Sequence, residues 1–301
     1  MSTPAGRFTP RLWLYFAIVT LIWGSTWLVI KYQLGEVPPS WSVTWRFVVA
    51  ALMLFGFCGL TGRSLRLSPA QHRFAALVGL TQFMLNFNFV YRAEAHMASG
   101  LVALIFALLV IPNSLFAWAL LGQRVTVRFM AGSAMGIIGV VMMVWTDLAR
   151  PGEGGDEVAL GVALAVAGVL SASIANVMQA SSMGRTLPLE GGLAWSMLYG
   201  ALMNAGVALL LSGPPVILWE AGYLAGVVYL ALAASAVAFI LYFTVVRVVG
   251  PGKAAWSGVL IPLVALGLST LFEGFVWSWL AAVGAALALA GLIVALRARS
   301  T

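Results

Sequence analysis

The chain is dominated by long apolar stretches, and this feature limits its fold more than any other. The stretch LAAVGAALALAGLIVAL at residues 280–296, for example, is apolar on every face that a helix could present. A helix needs about 20 mostly apolar residues to cross the hydrocarbon core of a bilayer. Because 62% of the 301 residues are hydrophobic and only 8% are charged, the chain cannot supply the polar surface of a water-soluble globule. We therefore predict an all-α polytopic membrane protein.

Ten such stretches can be placed between the charged and the turn-forming residues. A β-barrel is a poor alternative, because barrel strands alternate polar and apolar residues over about ten positions and these stretches do not. Ten transmembrane helices are predicted near residues 12–30, 41–60, 74–91, 97–121, 129–146, 159–181, 191–211, 222–246, 254–272 and 276–296.

Basic residues are distributed unequally between the predicted loops. If the N-terminus is cytoplasmic, twelve of the sixteen Lys and Arg residues lie in or beside cytoplasmic segments, and only Lys31, Arg92 and Arg150 lie on the other side. Cytoplasmic loops of membrane proteins carry this excess of positive charge. We therefore predict that both termini are cytoplasmic. The net charge of +7 is then explained by the anionic lipids of the cytoplasmic leaflet, and no nucleic-acid partner is predicted.

Corresponding motifs occur in the two halves of the chain. The segment LLVIPNSLF contains Pro112, and the segment GVLIPLVALG contains Pro262, 150 residues later. Each half would hold five spans, and because five is an odd number, the second half would enter the membrane from the opposite side. We predict two inverted five-helix repeats, residues 1–147 and 159–301, around a central cavity. A periplasmic linker at residues 148–158 would join them.

Pro112 and Pro262 lie inside predicted helices, where proline removes a main-chain hydrogen bond and bends the helix. A membrane tolerates such a break where neighbouring helices or a water-lined cavity satisfy the freed carbonyl group. Inverted repeats can exchange shapes and so open one central site to either side of the membrane in turn. We predict that both prolines are gating hinges. The alternative for each proline is a static kink.

Polar and aromatic side chains recur at mid-membrane depth in both halves. Gln82 and Asn86 are four residues apart in the third span, and Ser173 and Asn176 are three apart in the sixth, so each pair shares a helical face. Such residues line a cavity or, alternatively, join helices through hydrogen bonds of about 0.6 kcal/mol. Their spread over both halves favours a cavity. The predicted substrate-binding residues are Trp23, Thr26, Gln82, Asn86, Ser173, Asn176, Phe239 and Trp256.

Arg46 is the only basic residue within a predicted span, and no acidic residue is predicted at the midplane. Ionisable groups inside a membrane are costly and usually functional. We expect Arg46 to form an ion pair with Glu273 or Glu36, or, alternatively, to bind a substrate carboxylate. Because Glu94 and Glu273 are expected at the outer ends of spans, facilitated transport is predicted rather than proton coupling.

The sequence contains no arrangement typical of an enzyme or a metal site. His72, His96 and Cys58 are well separated along the chain, and the segment GPGK at residues 250–253 lacks the first glycine and the Ser or Thr of a phosphate-binding loop. No catalytic residue, metal or cofactor is predicted. A membrane enzyme or a lipid scramblase is retained as an alternative.

Three stretches resemble the EamA-type branch of the drug/metabolite transporter superfamily: LIWGSTWLVIK, PPSWSVTWRF and ALIFALLVIPNSLFAWALLGQRVTVRFMAGSAMGIIGVV, which begin at residues 21, 38 and 103. The resemblance covers essentially the whole chain. It implies ten helices in two inverted halves and a central cavity for small metabolites, and some bacterial members export amino acids. The family often has a glutamate after an LG pair, and this position is Gln123 in the first half, whereas Glu273 keeps the glutamate in the second half. In the second half, Leu170 and Ser171 replace the tryptophan-glycine pair of the family.

The combined prediction is a secondary transporter of the bacterial inner membrane. It would export small metabolites, foremost amino acids including aromatic and hydrophobic ones, by alternating access, as a uniporter and as a monomer. Its predicted partners are this small-molecule substrate and the membrane lipids. The alternatives are an exporter of drugs and other toxic amphipaths, and a proton-coupled antiporter.

Overall fold

The structure is a computed structural model, and it describes residues 9–122, 125–148, 153–249 and 256–299. All regular elements within these ranges are helices, and nine helical stretches among them are long and apolar enough to cross a membrane. A further apolar helix, Ser257–Phe272, has 16 residues and follows residues 250–255, which lie outside the described ranges. The predicted all-α polytopic membrane protein is therefore confirmed.

The described residues of the N-terminal part, 9–122 and 125–148, form seven α-helices and one π-helical segment. The first π-helical segment, Gly79–Asn86, connects α3 to α4, so that Pro69–His96 is one continuous span. The helices are α1 (Pro10–Tyr32), α2 (Pro39–Thr61), α3 (Pro69–Val78), α4 (Phe87–His96), α5 (Ser99–Ala107), α6 (Val110–Leu121) and α7 (Val127–Leu148).

The described residues of the C-terminal part, 153–249 and 256–299, form seven α-helices and one π-helical segment. The second π-helical segment, Leu230–Val237, lies between α11 and α12. The helices are α8 (Glu153–Ala180), α9 (Ser182–Thr186), α10 (Leu189–Ser212), α11 (Ala221–Tyr229), α12 (Ala238–Val249), α13 (Ser257–Phe272) and α14 (Trp279–Arg299).

The predicted linker at residues 148–158 is shorter in the structure, because α8 already begins at Glu153. Residues 149–152 lie outside the described ranges. The acidic residues Asp156 and Glu157 were expected in a loop, but they lie in the first turns of α8. Negative charge is favourable there, since the N-terminal end of a helix carries a partial positive charge.

Proline and glycine set several helix ends. The helices α1, α2 and α3 begin at Pro10, Pro39 and Pro69, where the missing N–H group would have had no partner in any case. α2 ends at Gly62, whose φ of 67° lies in the left-handed region that glycine enters without strain. Ser68 and Gln71 form a reciprocal capping box at the start of α3.

Glycine residues allow α7 and α14 to cross at close range. A Cβ atom added to Gly132 would lie 2.5 Å from the main-chain nitrogen of Ala295, and one added to Gly284 would lie 2.5 Å from the carbonyl oxygen of Gly139. Small residues permit this approach of two backbones inside a membrane. The paired glycines of the two halves therefore pack against each other within one chain.

The two prolines have different local structures. Pro112 follows a break at residues 108–109 between α5 and α6, where the Ile111 N–H donates to the carbonyl group of Leu108 at 2.9 Å in a tighter turn. Pro262 lies within the continuous helix α13. Because Pro262 is near the start of its helix, the carbonyl group that loses a partner is that of Gly258, in the first turn.

Several local features occur in both parts of the chain at a nearly constant interval. The first residue of the second π-helical segment follows that of the first by 151 positions. The Trp45 Nε1–H donates to the carbonyl oxygen of Val216 at 2.8 Å, and the Trp195 Nε1–H donates to that of Leu65 at 2.9 Å. These tryptophans lie on α2 and α10, which pack against each other. Each helix therefore reaches the loop that follows the other.

Candidate functional site

An aromatic wall forms where α1 meets α12 and the first π-helical segment. The ring of Trp23 lies 5.3 Å from that of Phe239 and 5.1 Å from that of Tyr242, and Phe83 lies 6.3 Å from Phe239. Most of these contacts are edge-on, the geometry that aromatic pairs prefer. The Trp23 Nε1–H donates at 3.1 Å to the carbonyl oxygen of Ala234, in the second π-helical segment. The predicted residues Trp23 and Phe239 are thus brought together.

Amide side chains border this wall. Gln82 and Asn86 flank Phe83 in the first π-helical segment, which packs against α8. On α8, the Asn176 side chain donates to the Asn113 side-chain oxygen at 3.5 Å, and Asn113 directly follows Pro112 in α6. These side chains together are called the aromatic–amide site; they are Trp23, Phe83, Phe239, Tyr242, Gln82, Asn86, Asn113 and Asn176.

Three polar atoms of this region are buried and lack a hydrogen-bond partner among the residues that the structure describes. They are the side-chain oxygens of Gln82, Asn86 and Ser173. A buried acceptor without a partner is unfavourable, because it has lost its hydrogen bonds to water. Such atoms indicate where a ligand or water would bind.

Two predicted residues have other roles. The Thr26 hydroxyl donates to the carbonyl group of Trp23, in its own helix, at 2.7 Å, so it is already satisfied. Trp256 packs against two apolar clusters, one around Leu12 and Phe16 and one around Val259. Tyr242 also packs against the first of these clusters. Trp256 therefore lies towards one end of the aromatic wall rather than beside the amides.

Besides Phe83, three aromatic residues that the sequence analysis did not select belong to the site or extend it, namely Trp27, Phe106 and Tyr242. Trp27 lies 5.1 Å from Phe106, measured between ring centroids. A Cβ atom added to Gly168 would lie 3.0 Å from Phe106 and 3.5 Å from the carbonyl oxygen of Asn86, so α8 meets both residues there. Trp27 follows Trp23 by four residues, and this helical spacing was the available signal. Tyr242 had a similar signal, three residues after Phe239.

The predicted ion pair between Arg46 and Glu273 does not form. The Glu273 carboxylate instead accepts hydrogen bonds from the main-chain N–H of Ser99, at 2.9 Å, and from the Ser99 hydroxyl group. Ser99 is the first residue of α5, where a negative charge is favourable. The Arg46 Nε–H donates to the Ser235 hydroxyl group at 3.2 Å, and the guanidinium lies 4.3 Å from the ring centroid of Phe87. The predicted alternative partner Glu36 is exposed, and it forms no ion pair within the described ranges.

Relatives of the chain define its family. Residues 11–145 match the sequence model of the EamA-like transporter family. The chain is 30% identical to the "Uncharacterized inner membrane transporter YedA" of Escherichia coli K12, over 91% of this chain and 89% of the relative. The chain belongs to the EamA family. It is thereby a member of the drug/metabolite transporter branch that its sequence motifs indicate.

Other relatives span most of the chain as well. "Protein PagO" of Salmonella typhimurium is 22% identical over 86% of this chain and 84% of its own length. The "Probable amino-acid metabolite efflux pump" of Escherichia coli K12 is 25% identical over 92% of both chains. A crystal structure with 22% sequence identity superposes with a TM-score of 0.69 over 97% of this chain and 99% of that one. This last likeness concerns the fold alone.

Glu94 of this EamA-family chain differs from the expectation. Along the sequence it lies two residues before the end of α4, as expected for the end of a span, but its side chain is fully buried. Neither carboxylate oxygen has a hydrogen-bond partner among the described residues. The Lys31 ammonium group lies near but donates to the main-chain carbonyl groups of Glu94 and Met97. The sequence analysis therefore missed an enclosed acid.

A second buried polar network in the EamA-family chain joins three helices. The Ser40 hydroxyl group donates to the Asn88 side-chain oxygen at 2.6 Å, and Asn88 bonds in turn to Asn204 on α10. The Asn204 amide also donates to the carbonyl group of Phe83 at 3.0 Å. Because these amides have partners, they fit the alternative role of joining helices.

Proposed function

We propose that this chain is a secondary transporter of the bacterial inner membrane that exports small metabolites, foremost amino acids, including aromatic and hydrophobic ones. The observation that carries the proposal is the aromatic–amide site, in which an aromatic wall lies beside buried, unpartnered amide oxygens. The wall suits an apolar side chain, and the amide oxygens accept hydrogen bonds from polar groups of a solute. The efflux pump named above supports the same solute class.

The proposed architecture has ten transmembrane helices in two inverted five-helix repeats, residues 1–147 and 159–301, around a central cavity. The corresponding π-helical segments and the reciprocal bonds of Trp45 and Trp195 support it. The packing is also paired, because α2 packs against α10 and α7 packs against α14. The predicted linker at residues 148–158 would be reduced to the few residues before α8.

Alternating access follows from this architecture. In the present structure the helix is broken at residues 108–109, just before Pro112, whereas the corresponding residues 258–259 before Pro262 lie within α13. Two similar halves in different shapes are what an inverted-repeat carrier has in each of its end states. We propose that Pro112 and Pro262 are the hinges, and that the two spans exchange shapes when the site opens to the other side.

The proposed orientation has both termini in the cytoplasm. Arg63 lies 3.9 Å from Glu190, so the loops before α3 and α10 meet at one end of the helices. His96 pairs with Glu157 at the end of α4 and the start of α8. The first pair belongs to segments predicted as cytoplasmic and the second to segments predicted as periplasmic. The contacts are compatible with this topology. We further propose that a single chain works as a monomer among membrane lipids.

Facilitated transport is the proposed mode, and it requires that no enclosed acid changes its protonation during the cycle. Glu94 favours proton-coupled antiport as a second candidate, because a buried ionisable group without a partner is a typical proton carrier in transporters. A pH gradient imposed on proteoliposomes distinguishes the two modes. Concentrative solute flux driven by that gradient alone would favour the antiporter.

Counterflow in proteoliposomes tests the proposed function. The purified chain is reconstituted with unlabelled amino acid inside, and the uptake of labelled L-phenylalanine, L-leucine and L-threonine is followed at two pH values. We expect counterflow of at least one amino acid in the wild-type protein and a clear loss in Asn86→Ala. Thr26→Val, at a hydroxyl satisfied within its own helix, is the matched control. Absence of counterflow for all three amino acids, with flux of a cationic dye, would favour the drug-export alternative.

A further inference from the structure

Four buried polar atoms, at the residue that follows α1 and on α2 and α4, lack hydrogen-bond partners among the described residues. Two are donors, namely Nε2 of Gln33 and Nη1 of Arg46, and two are acceptors, namely both carboxylate oxygens of Glu94. The exposed fractions of these residues are 4%, 2% and 0%. Protein interiors rarely leave such atoms unsatisfied, since each has lost its hydrogen bonds to water.

The three residues belong to one cluster, which Tyr91 connects. The Tyr91 hydroxyl group donates to the side-chain oxygen of Gln33 at 2.9 Å and is close enough to Arg46 for electrostatic interaction. Glu94 is three residues after Tyr91 on the same face of α4 and is close enough to Arg46 and Lys31 for electrostatic interaction. We call Gln33, Arg46, Tyr91 and Glu94 the buried polar cluster.

The residues of the cluster do not supply all of one another's hydrogen bonds and ion pairs. Arg46 and Glu94 form no ion pair within 4.0 Å, although both are fully described. The ammonium group of Lys31 is engaged with two main-chain carbonyl groups, and the carboxylate of Glu273 is engaged with Ser99. The cluster therefore presents free donors and free acceptors in the same enclosed region.

The cluster is continuous with the aromatic–amide site. Arg46 packs over the ring of Phe87, and the ring centroid of Phe47 lies 4.9 Å from Phe87 and 5.0 Å from Phe83. Phe83 belongs to the aromatic wall. Arg46 also bonds to Ser235, the residue after Ala234, whose carbonyl group accepts the hydrogen bond from Trp23. A molecule at the aromatic wall therefore has a charged neighbour on one side.

We propose that the buried polar cluster binds the head group of a zwitterionic α-amino acid. The guanidinium of Arg46 and the amide of Gln33 donate to the carboxylate, and the Glu94 carboxylate accepts from the ammonium group. The side chain of the amino acid lies towards the aromatic wall. This assignment rests on the proposed function and specifies its substrate class, because a head-group site of this kind discriminates against molecules that lack either charge.

Competition binding on the purified full-length protein in detergent tests the assignment. Tritiated L-phenylalanine is displaced by unlabelled L-phenylalanine, by its methyl ester, which lacks the carboxylate, and by N-acetyl-L-phenylalanine, which lacks the ammonium group. In the wild-type protein, each derivative should compete at least about tenfold more weakly than the parent, because one buried charge stays unpaired. Equal competition by all three compounds overturns the assignment.

Two variants test separately whether Glu94 binds the ammonium group and whether Arg46 binds the carboxylate. In Glu94→Gln, N-acetyl-L-phenylalanine should compete as well as the parent while the methyl ester stays weak, and in Arg46→Gln the pattern should be reversed. Glu273→Gln is the matched control, because the same carboxyl-to-amide change is made where the oxygens already bond to Ser99. It should leave the ranking of the three compounds unchanged.

Thermal unfolding of each variant, with and without ligand, separates binding from folding. The predicted change in the ranking of the three compounds, at an unchanged melting temperature, supports the site. An equal weakening of all three compounds in both variants overturns it in favour of a structural role, and an altered pH dependence alone overturns it in favour of a proton site. If L-phenylalanine does not bind while counterflow of an uncharged solute persists, the head-group site is wrong and the export proposal stands without it.

Discussion

Arg46 places a positive charge inside the helix bundle, and this charge has no ion-pair partner among the described residues. Its stabilisation comes from the Ser235 hydroxyl group and from the rings of Phe87 and Phe47, which the guanidinium contacts. Arginine is suited to this environment because its planar, weakly hydrated group stacks on aromatic faces. The chemistry at this residue therefore depends on the shape of the cation as well as on its charge.

Replacement of Arg46 by Lys should lower the stability of the protein. The ammonium group keeps the charge but loses the stacked contact with Phe87, which contributes about 2 kcal/mol when it is desolvated. Thermal unfolding in detergent measures the change. Arg63→Lys is the matched control, because its side chain is exposed and its pair with Glu190 contributes little. Equal melting temperatures of the two variants would contradict this role of Arg46.

Asn204 and Asn176 should respond differently to truncation. Asn204→Ala removes a fully buried amide and leaves the Phe83 carbonyl group and Asn88 without their partner, so a loss of about 1–3 kcal/mol is expected. Asn176→Ala removes only a 3.5 Å contact with Asn113. It should reduce counterflow while the melting temperature stays close to that of the wild type. If Asn176→Ala lowered the melting temperature and Asn204→Ala reduced only counterflow, Asn176 would join helices and Asn204 would line the site.

At the scale of elements, the apolar stretches predicted the helices well, because their length must match the bilayer. The break next to Pro112 also follows from the sequence, since proline cannot donate a main-chain hydrogen bond. The two π-helical segments had no sequence signal, and the continuity of α13 through Pro262 depends on the position of the proline near the helix start. The burial of Glu94 was missed because it depends on which helices surround α4.

The crossing of α7 and α14 should be sensitive to a single added methyl group. In Gly139→Ala the new Cβ would overlap main-chain atoms of Ala288 and Gly284, which cannot move independently. We expect a loss of about 1–3 kcal/mol, typical of overpacking, in thermal unfolding. Gly56→Ala is the control, because nothing lies within 4 Å of its added Cβ and alanine favours the helix. A tolerated Gly139→Ala would mean that the two helices separate easily.

The hinge role of Pro112 predicts a change in rate rather than in affinity. Pro112→Ala restores a main-chain donor and allows α5 and α6 to join into one helix. Counterflow turnover should fall roughly tenfold, which corresponds to about 1.4 kcal/mol of additional barrier. Binding of L-phenylalanine should be unchanged. Pro262→Ala should change this structure less, because α13 is already continuous. Equal turnover in Pro112→Ala and the wild type would favour a static kink at Pro112.

At the scale of the whole molecule, the proposed mechanism depends on how the two halves are oriented. The bonds from Trp45 to Val216 and from Trp195 to Leu65 are equivalent under an exchange of the halves, and they lie near opposite ends of the crossing of α2 and α10. Such an exchange of equivalent contacts is what a pseudo-two-fold axis in the membrane plane requires. A measurement of whether the two halves have opposite orientations in the membrane therefore tests the mechanism directly.

Accessibility of introduced cysteines in intact cells tests this orientation. Glu36→Cys lies in the exposed loop after α1, and Ser68→Cys lies in the exposed loop before α3. Because the loops at the two ends of α2 must lie on opposite sides of the membrane, an impermeant maleimide should label Glu36→Cys in intact cells and Ser68→Cys only after lysis. Cys58 is buried and should contribute little background labelling. Exposed Glu220, in the loop of the second half that corresponds to the Ser68 loop, provides the decisive comparison. With inverted repeats, Glu220→Cys is labelled in intact cells together with Glu36→Cys, whereas parallel repeats would place it on the side of Ser68→Cys, where it is labelled only after lysis.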